Sequence, residues 1–179
     1  MKMVNLINLI TIARIILAPI ILLFLIFGNY LICILLFFLA GVSDYFDGYL
    51  ARKYLAESQL GEILDPIADK ILIVFLLIGL SVVLDSYLIA TLSSFIIARE
   101  IGVTALRDFS ARNNISDRTK VTYLAKTKTS VQLFTIGSYL FALTFSLNLL
   151  LVISDILLII TALITLYTGY QYSISVFKE

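Results

Sequence analysis

Six long apolar runs dominate the sequence and are separated by shorter polar connections. A membrane-spanning helix needs about 20 mostly apolar residues, because each residue rises about 1.5 Å along the axis. Only 14% of the 179 residues are charged, against about 25% in soluble domains. We therefore expect an all-α integral membrane protein in which residues 1–179 form one domain. The runs predict six spans, at about residues 8–27, 31–51, 64–84, 86–107, 128–147 and 149–172.

The positions of the basic residues predict the orientation of these spans. The connections at 28–30, 85–86 and 146–148 contain no Lys or Arg, and all 13 basic residues fall toward the opposite ends. Lys and Arg concentrate in the cytoplasmic loops of membrane proteins. Because the number of spans is even, we expect both termini and the basic connections on the cytoplasmic side of a cell membrane.

Two of the apolar runs are too short to cross a membrane by themselves. Residues 71–84 and 86–98 are uncharged, but neither stretch reaches across a hydrocarbon core of about 30 Å. The third span must therefore include residues 65–70, and the fourth must include residues 99–107. Charged groups at that depth need a partner, an ion or a water-filled cavity. The sequence predicts a polar cavity between helices that opens to the cytoplasm.

Four aspartates form two pairs at helical spacing. Asp44 and Asp47 are three residues apart near the end of the second span, and Asp65 and Asp69 are four apart at the start of the third. Each pair shares one helical face. Converging carboxylates repel one another unless a cation lies between them, and their oxygens suit Mg²⁺, Mn²⁺ or Ca²⁺. The alternative is that they are solvated charges or ion-pair partners of nearby basic residues. Their spacing inside a membrane protein favours a functional site.

The residues around the aspartates suit a ligand with phosphate groups. Gly48 and Gly61 would let the backbone approach a ligand closely, and Arg52 is placed to meet an anion. Pro66 fits the first turn of a helix, where its missing N–H has little effect. The sequence has no histidine and one cysteine, Cys33, which excludes histidine bases and zinc sites built from these residues. The pattern indicates a pyrophosphate or phosphoryl-transfer site.

The aspartate stretch resembles the signature of a known family. It reads Asp44-x2-Asp47-Gly48-x2-Ala51-Arg52-x8-Gly61-x3-Asp65-x3-Asp69, which matches every position of the CDP-alcohol phosphatidyltransferase signature. The resemblance implies a six-span, dimeric membrane enzyme that moves a phosphatidyl group from a CDP-linked donor to an alcohol and releases CMP. It also implies that the four aspartates hold one or two Mg²⁺ or Mn²⁺ ions and that Asp69 is the general base. The residues implied for the CDP pocket are Asp47, Gly48, Ala51, Arg52 and Gly61.

Three further stretches resemble the branch of this family that uses CDP-diacylglycerol as donor and glycerol 3-phosphate as acceptor. They are "NLITIAR" at 8–14, "LDPIADK" at 64–70, and "AREIGVTALR" at 98–107 followed by "LAKTKTSVQ" at 124–132. In the last stretch Ala125 replaces a glycine that is usual in the family. The resemblance implies a homodimer among the lipids of a bacterial cell membrane, without a nucleic-acid partner.

A cluster of basic residues is consistent with an acceptor that carries its own phosphate. Six of the 13 basic residues lie between Arg107 and Lys128, and Lys and Arg bind phosphate through charge-assisted hydrogen bonds. The alternative is a solvated loop beside anionic lipid headgroups. Glu100 is expected to orient Arg99, while Arg14 stays open between a phosphate contact and an interfacial anchor. The residues expected to bind the acceptor phosphate are Arg99, Arg107, Lys126 and Lys128.

Other functions are alternatives to this interpretation of the sequence. Within the family, inositol phosphate, serine or phosphatidylglycerol could replace glycerol 3-phosphate as acceptor. An aspartate-rich membrane prenyltransferase would need more spans and a second aspartate-rich motif, which this sequence lacks. A cation or phosphate transporter is a third class, but the charges lie toward the cytoplasmic side rather than the midplane, and the sequence has no inverted repeat.

Overall fold

Six α-helices make up the computed structural model, which describes residues 2–54, 59–113 and 123–177. The helices are α1 Lys2–Ile26, α2 Tyr30–Tyr54, α3 Gln59–Val83, α4 Tyr87–Arg112, α5 Tyr123–Thr144 and α6 Asn148–Phe177. They follow the order of the predicted spans, and the all-α prediction is confirmed for the described residues. Within these ranges the side chains are described except at residues 2, 3, 5–7, 45, 47–54, 59, 62 and 123–127.

The helices continue beyond the predicted spans at the ends that carry the charges. Helix α2 runs on to Tyr54, α4 runs on to Arg112, and α3 begins at Gln59 rather than at residue 64. Hydropathy marks the apolar part of a helix but not its polar continuation. Among the described residues, four segments are long and apolar enough to cross a membrane: Asn8–Ile26, Ile63–Val83, Tyr87–Arg112 and Asn148–Phe177.

The position of Pro66 differs from the prediction. The sequence places it in the first turn of the third span, but α3 begins at Gln59 and Pro66 lies inside the helix. A proline there supplies no N–H to the carbonyl four residues earlier. The prediction was wrong because the polar residues before Asp65 join the helix instead of forming a loop.

The three short connections close in the same way. Gly28, Asp85 and Ser146 have positive φ angles of 76°, 44° and 53°. In each turn the N–H of the following residue donates to a carbonyl five residues earlier, at 2.9 to 3.3 Å. This Schellman arrangement satisfies the last carbonyls of a helix and reverses the chain. Because successive helices run antiparallel, the three turns lie together at one end of the bundle.

Apolar side chains fill the centre of the bundle and also cover its outside. Helix α1 packs against α2 and α3, while α4 and α5 pack against α6. Ile21, Leu76 and Leu80 are fully buried. Gly79 allows α1 and α3 to approach closely, since a Cβ there would lie 2.6 Å from Leu22 Cδ1. In lipid such close van der Waals packing, rather than exclusion of water, holds helices together.

A row of polar side chains joins α5 to α6. The Tyr139 hydroxyl donates to Asp155 Oδ1 at 2.6 Å, and Tyr139 is fully buried. This contact accounts for Asp155, for which the sequence offers no role. Polar pairs between membrane helices act as additional contacts where water is absent. The remaining pairs of the row are Gln132–Thr165 at 3.4 Å, Thr135–Thr161 at 2.9 Å and Ser138–Ser154 at 2.7 Å.

The Tyr139–Asp155 contact should stabilise the fold. We expect Tyr139→Phe to lower the free energy of unfolding by about 1–3 kcal/mol, because it leaves the half-buried carboxylate without this donor. Denaturant titration in detergent measures the change. The matched control is Tyr167→Phe, since the exposed Tyr167 hydroxyl meets only Gln171 among the contacts of the described residues. That control should change stability by less than about 0.5 kcal/mol. Equal effects of the two variants would contradict the prediction.

Candidate active site

Four charged residues of the bundle, Arg14, Asp44, Asp69 and Arg99, lie in one layer. Counted from the end with the short turns at 1.5 Å per residue, Arg14 and Arg99 lie about 18 Å along their helices. Asp44 and Asp69 lie about 21 Å along α2 and α3 by the same measure. The layer is therefore on the side opposite the short turns, where the short apolar runs of the third and fourth spans predict a polar cavity.

Arg14 lies at the centre of the aspartate cluster. Its Nη1 donates to Asp44 Oδ1 at 2.6 Å and to Asp69 Oδ1 at 3.0 Å. The Arg14 side chain is 1% exposed, whereas those of Asp44 and Asp69 are 48% and 41% exposed. A buried cation is unfavourable unless it is paired, and two neighbouring carboxylates repel each other unless a cation separates them. One guanidinium therefore meets both requirements and joins α1, α2 and α3.

Helix α1 makes a second contact with the cluster one turn earlier. Thr11 is fully buried, and its Oγ1 donates to Asp65 Oδ1 at 2.9 Å. Thr11 and Arg14 share one face of α1 because they are three residues apart. Sequence reasoning missed Thr11, and the burial of Arg14 excludes its role as an anchor at the lipid surface. The signal that was overlooked is the spacing of these two polar residues inside an otherwise apolar span.

The other signature residues are described less completely. Asp47, Gly48, Ala51 and Arg52 belong to α2, but their side chains lie outside the described part of the chain. Gly61 is buried in the first turn of α3. The structure thus brings together three of the four predicted aspartates, Asp44, Asp65 and Asp69, around one face of α1.

The aspartates offer the donor atoms that a divalent cation requires. Among the described side chains, no three Asp, Glu, His or Cys residues form a ready ligand set. Asp44 and Asp69 nevertheless meet at a single nitrogen atom of Arg14, and donors that are all oxygen suit Mg²⁺ or Mn²⁺. The carboxylate oxygens are therefore the type of ligand that such an ion prefers, and Asp44, Asp65 and Asp69 would hold it. An ion there would compete with Arg14 for the same two carboxylates.

A basic cavity of about 290 Å³ lies between α3, α4 and α5. Three of the residues predicted to bind the acceptor phosphate, Arg99, Arg107 and Lys128, line this cavity. The side chain of the fourth, Lys126, lies outside the described part of the chain. Lys70 is an additional cation in the wall, and it is not among the residues expected from the sequence to bind the acceptor phosphate.

Glu100 connects two of these cations. Its Oε1 accepts hydrogen bonds from Arg99 Nη1 at 3.3 Å and from Lys128 Nζ. The expected contact between Glu100 and Arg99 is therefore present, with Lys128 in addition. Arg99 Nη2 also donates to Thr168 Oγ1 at 2.8 Å. Gly169 makes room for this side chain, since a Cβ there would lie 2.7 Å from Arg99 Cγ.

Asp69 also lines a second, mainly apolar cavity of about 440 Å³ on the α2 side of α3. Arg14 and Asp44 form the charged end of this apolar cavity. Phe37, Phe38 and Leu133 line its other end and continue into a groove of about 670 Å³ along α2 and α5. Asp69 is therefore in the wall between a basic cavity and an apolar cavity that extends along the helices.

A six-helix bundle of membrane type, with clustered aspartates beside a basic cavity, corresponds to a known family. The family model of the CDP-alcohol phosphatidyltransferases matches residues 4–167, and the chain belongs to this family. The resemblance of the aspartate signature is thereby confirmed.

Several relatives are similar to nearly the whole chain. A protein of Rickettsia bellii is 41% identical over 172 residues, which cover 94% of this chain and 93% of the relative. A protein of Haemophilus influenzae is 34% identical over 169 residues, which cover 90% of this chain and 88% of the relative. A protein of Blochmanniella floridana is 39% identical, with coverages of 84% and 78%. All three relatives are named CDP-diacylglycerol–glycerol-3-phosphate 3-phosphatidyltransferase.

The contacts of Arg14 should contribute to the stability of the bundle. We expect Arg14→Met to lower the free energy of unfolding by about 1–3 kcal/mol, because Asp44 and Asp69 would then repel each other. Removing one partner of a fully buried ion pair costs about 3–5 kcal/mol, and the loss here should be smaller because both carboxylates are partly exposed. Denaturant titration in detergent measures it.

The matched control for this measurement is Arg112→Met. Arg112 Nη2 lies 2.8 Å from Asp108 Oδ2 on the surface of α4, and the two side chains are 77% and 59% exposed. Exposed pairs contribute little, so this change should stay within about 0.5 kcal/mol. If the two variants lose equal stability, Arg14 does not have the structural role described.

Proposed function

We propose that this protein transfers the phosphatidyl group of CDP-diacylglycerol to glycerol 3-phosphate, giving phosphatidylglycerophosphate and CMP. The observation that carries the proposal is the position of Asp69 between the apolar cavity and the basic cavity. A lipid-linked donor needs an apolar channel, whereas a phosphorylated acceptor needs cations. The names of the relatives support the same two substrates.

Asp69 acts as the general base in this proposal. Its carboxylate accepts the proton of the acceptor's 1-hydroxyl, and the freed oxygen attacks the lipid-side phosphorus of the donor. The new phosphorus–oxygen bond forms as the bond from that phosphorus to the CMP oxygen breaks, so CMP leaves with its electron pair. Arg14, 3.0 Å from Asp69, orients the carboxylate. A positioned base of this kind contributes about 10²- to 10⁴-fold to the rate.

The donor's nucleotide end lies at the signature residues in this proposal. A bound Mg²⁺ or Mn²⁺ ion would offset the negative charge of the pyrophosphate. The family resemblance supports one or two such ions on Asp44, Asp47, Asp65 and Asp69. It also supports a CDP pocket lined by Asp47, Gly48, Ala51, Arg52 and Gly61. The acyl chains would follow the apolar cavity toward Phe37 and Phe38.

The acceptor lies in the basic cavity. Arg99, Arg107, Lys126 and Lys128 are the residues proposed to surround its phosphate, through charge-assisted hydrogen bonds. Pockets for drug-sized ligands measure roughly 300–1,000 Å³, so a cavity of about 290 Å³ suits a small phosphorylated alcohol. The location of the basic residues supports a site that faces the cytoplasm of a bacterial cell membrane, and the family resemblance supports a homodimer.

The proposed reaction can be tested with purified protein in detergent. CDP-diacylglycerol, Mg²⁺ and labelled glycerol 3-phosphate should give a labelled lipid together with one CMP per product. Labelled serine, inositol phosphate and phosphatidylglycerol, compared at equal concentration, should react far more slowly. A faster reaction with one of these would reassign the acceptor. Uptake of phosphate or a cation into vesicles without CMP release would instead indicate a transporter.

The assigned base gives a sharper test. We expect Asp69→Asn to lower kcat by at least about 100-fold, because an amide cannot accept the proton at this site. The matched control is Asp85→Asn, the same chemical change in the α3–α4 turn, where φ is 44° and Asn is well tolerated. This control should retain its activity, and both variants should elute as folded protein in detergent. Activity near that of the wild type in Asp69→Asn would exclude Asp69 as the base.

A further inference from the structure

The four described cations of the basic cavity have two kinds of partner. Arg99 and Lys128 both contact the Glu100 carboxylate. Lys70 instead donates from Nζ to Thr104 Oγ1 at 2.6 Å. Arg107 Nη2 donates to the Tyr172 hydroxyl at 2.9 Å, and its guanidinium carbon lies 5.0 Å from the centre of the Tyr172 ring. Neither Lys70 nor Arg107 forms an ion pair with a carboxylate of the described residues.

This difference determines where the cavity attracts an anion. A hydroxyl satisfies one donor of a cation but leaves its charge uncompensated, whereas Glu100 offsets charge at Arg99 and Lys128. A lysine ammonium has three N–H donors and a guanidinium has five. Lys70 uses one of its donors on Thr104, so the others can turn to a ligand. Lys70 and Arg107 are therefore the two described cations of the cavity that contact a hydroxyl rather than a carboxylate, and they keep donors for an anion.

Lys70 is also the cation next to the proposed base. It directly follows Asp69 on α3, and both residues line the basic cavity. Arg107 lies across the cavity on α4, where its ring contact and hydrogen bond hold the guanidinium toward the same space. An acceptor with phosphate at one end and a hydroxyl at the other would meet Lys70 and the proposed base on one short segment of α3, with Arg107 opposite on α4.

We propose that Lys70 joins Arg107 in contacting the acceptor phosphate directly, and that Lys70 selects phosphorylated acceptors over neutral alcohols. This inference rests on the proposed function and refines its acceptor site. Arg99 and Lys128 line the same cavity, and the contacts of both with Glu100 also link α4 to α5 beside the anion.

The central experiment compares Lys70→Met with the wild type in the transfer assay. Loss of a charge-assisted contact should raise the KM for glycerol 3-phosphate by about 10- to 100-fold. The KM for CDP-diacylglycerol should change by less than about threefold, and kcat should change less than the acceptor KM. Competition by inorganic phosphate should weaken by the same factor as the acceptor KM rises. Lys70→Arg should restore most of the affinity because it keeps the charge.

Two further variants separate anion binding from a structural role. Thr104→Val removes the hydroxyl partner of Lys70 and leaves its ammonium, so it should affect the acceptor KM less than Lys70→Met does. If the two variants instead raise the acceptor KM equally and lower the unfolding midpoint equally, Lys70 acts only as a link between α3 and α4. Arg112→Met removes an exposed cation from the same helix as Arg107 and should leave both KM values unchanged.

Direct binding of inorganic phosphate distinguishes this inference from the proposed function. Labelled orthophosphate is titrated into the wild type and Lys70→Met in detergent, without donor. Binding that depends on Lys70 in a protein that does not use glycerol 3-phosphate would overturn the proposed function and keep the anion site. Transfer to glycerol 3-phosphate with no effect of Lys70→Met on KM or phosphate affinity would overturn the inference. Absence of phosphate binding to the wild type would overturn it as well.

Discussion

A guanidinium buried among carboxylates is the interaction on which the rest of the site depends. Arg14 reaches from α1 to Asp44 on α2 and to Asp69 on α3, so three helices share one charged contact in a bundle whose centre is mostly apolar. The buried Arg14 guanidinium would be unfavourable without these partners, and the two carboxylates would repel each other without it. The contact therefore keeps the proposed base at one place and keeps the aspartates together before any ligand arrives. Thr11 extends the same face of α1 to Asp65.

Helix α3 divides the molecule into two chemical environments. On one side are the aromatic and aliphatic walls of the apolar cavity, and on the other are the cations around Glu100. A donor that carries two acyl chains and an acceptor that is a small anion could hardly share one binding surface, because burying charge beside hydrocarbon is strongly unfavourable. Separate cavities remove this conflict, and in the proposed reaction the reacting groups meet only at the wall where Asp69 lies.

Much of this arrangement follows from the sequence, and the reasons for the exceptions are physical. The number of helices, the clustering of Asp44, Asp65 and Asp69 and the polar cavity follow from hydropathy, helical spacing and the limited length of the uncharged runs. The sequence did not predict the partners of Arg14 and Asp155, because contacts between helices distant in sequence depend on how each helix is rotated about its axis. The helix ends were also misjudged, as at Pro66, since hydropathy reports burial in lipid and not backbone conformation.

The adjacency of Asp69 and Lys70 has a consequence for how this protein can vary. Each residue added to an α-helix turns everything after it by about 100°. An insertion or deletion of one residue between Asp65 and Lys70 would move Asp69 out of the shared wall and turn Lys70 away from the basic cavity. A substitution in this segment changes one side chain, whereas a change of length changes which side chains of the helix face each cavity. Natural and engineered homologues should therefore keep this spacing constant even where the residues between Asp65 and Asp69 differ.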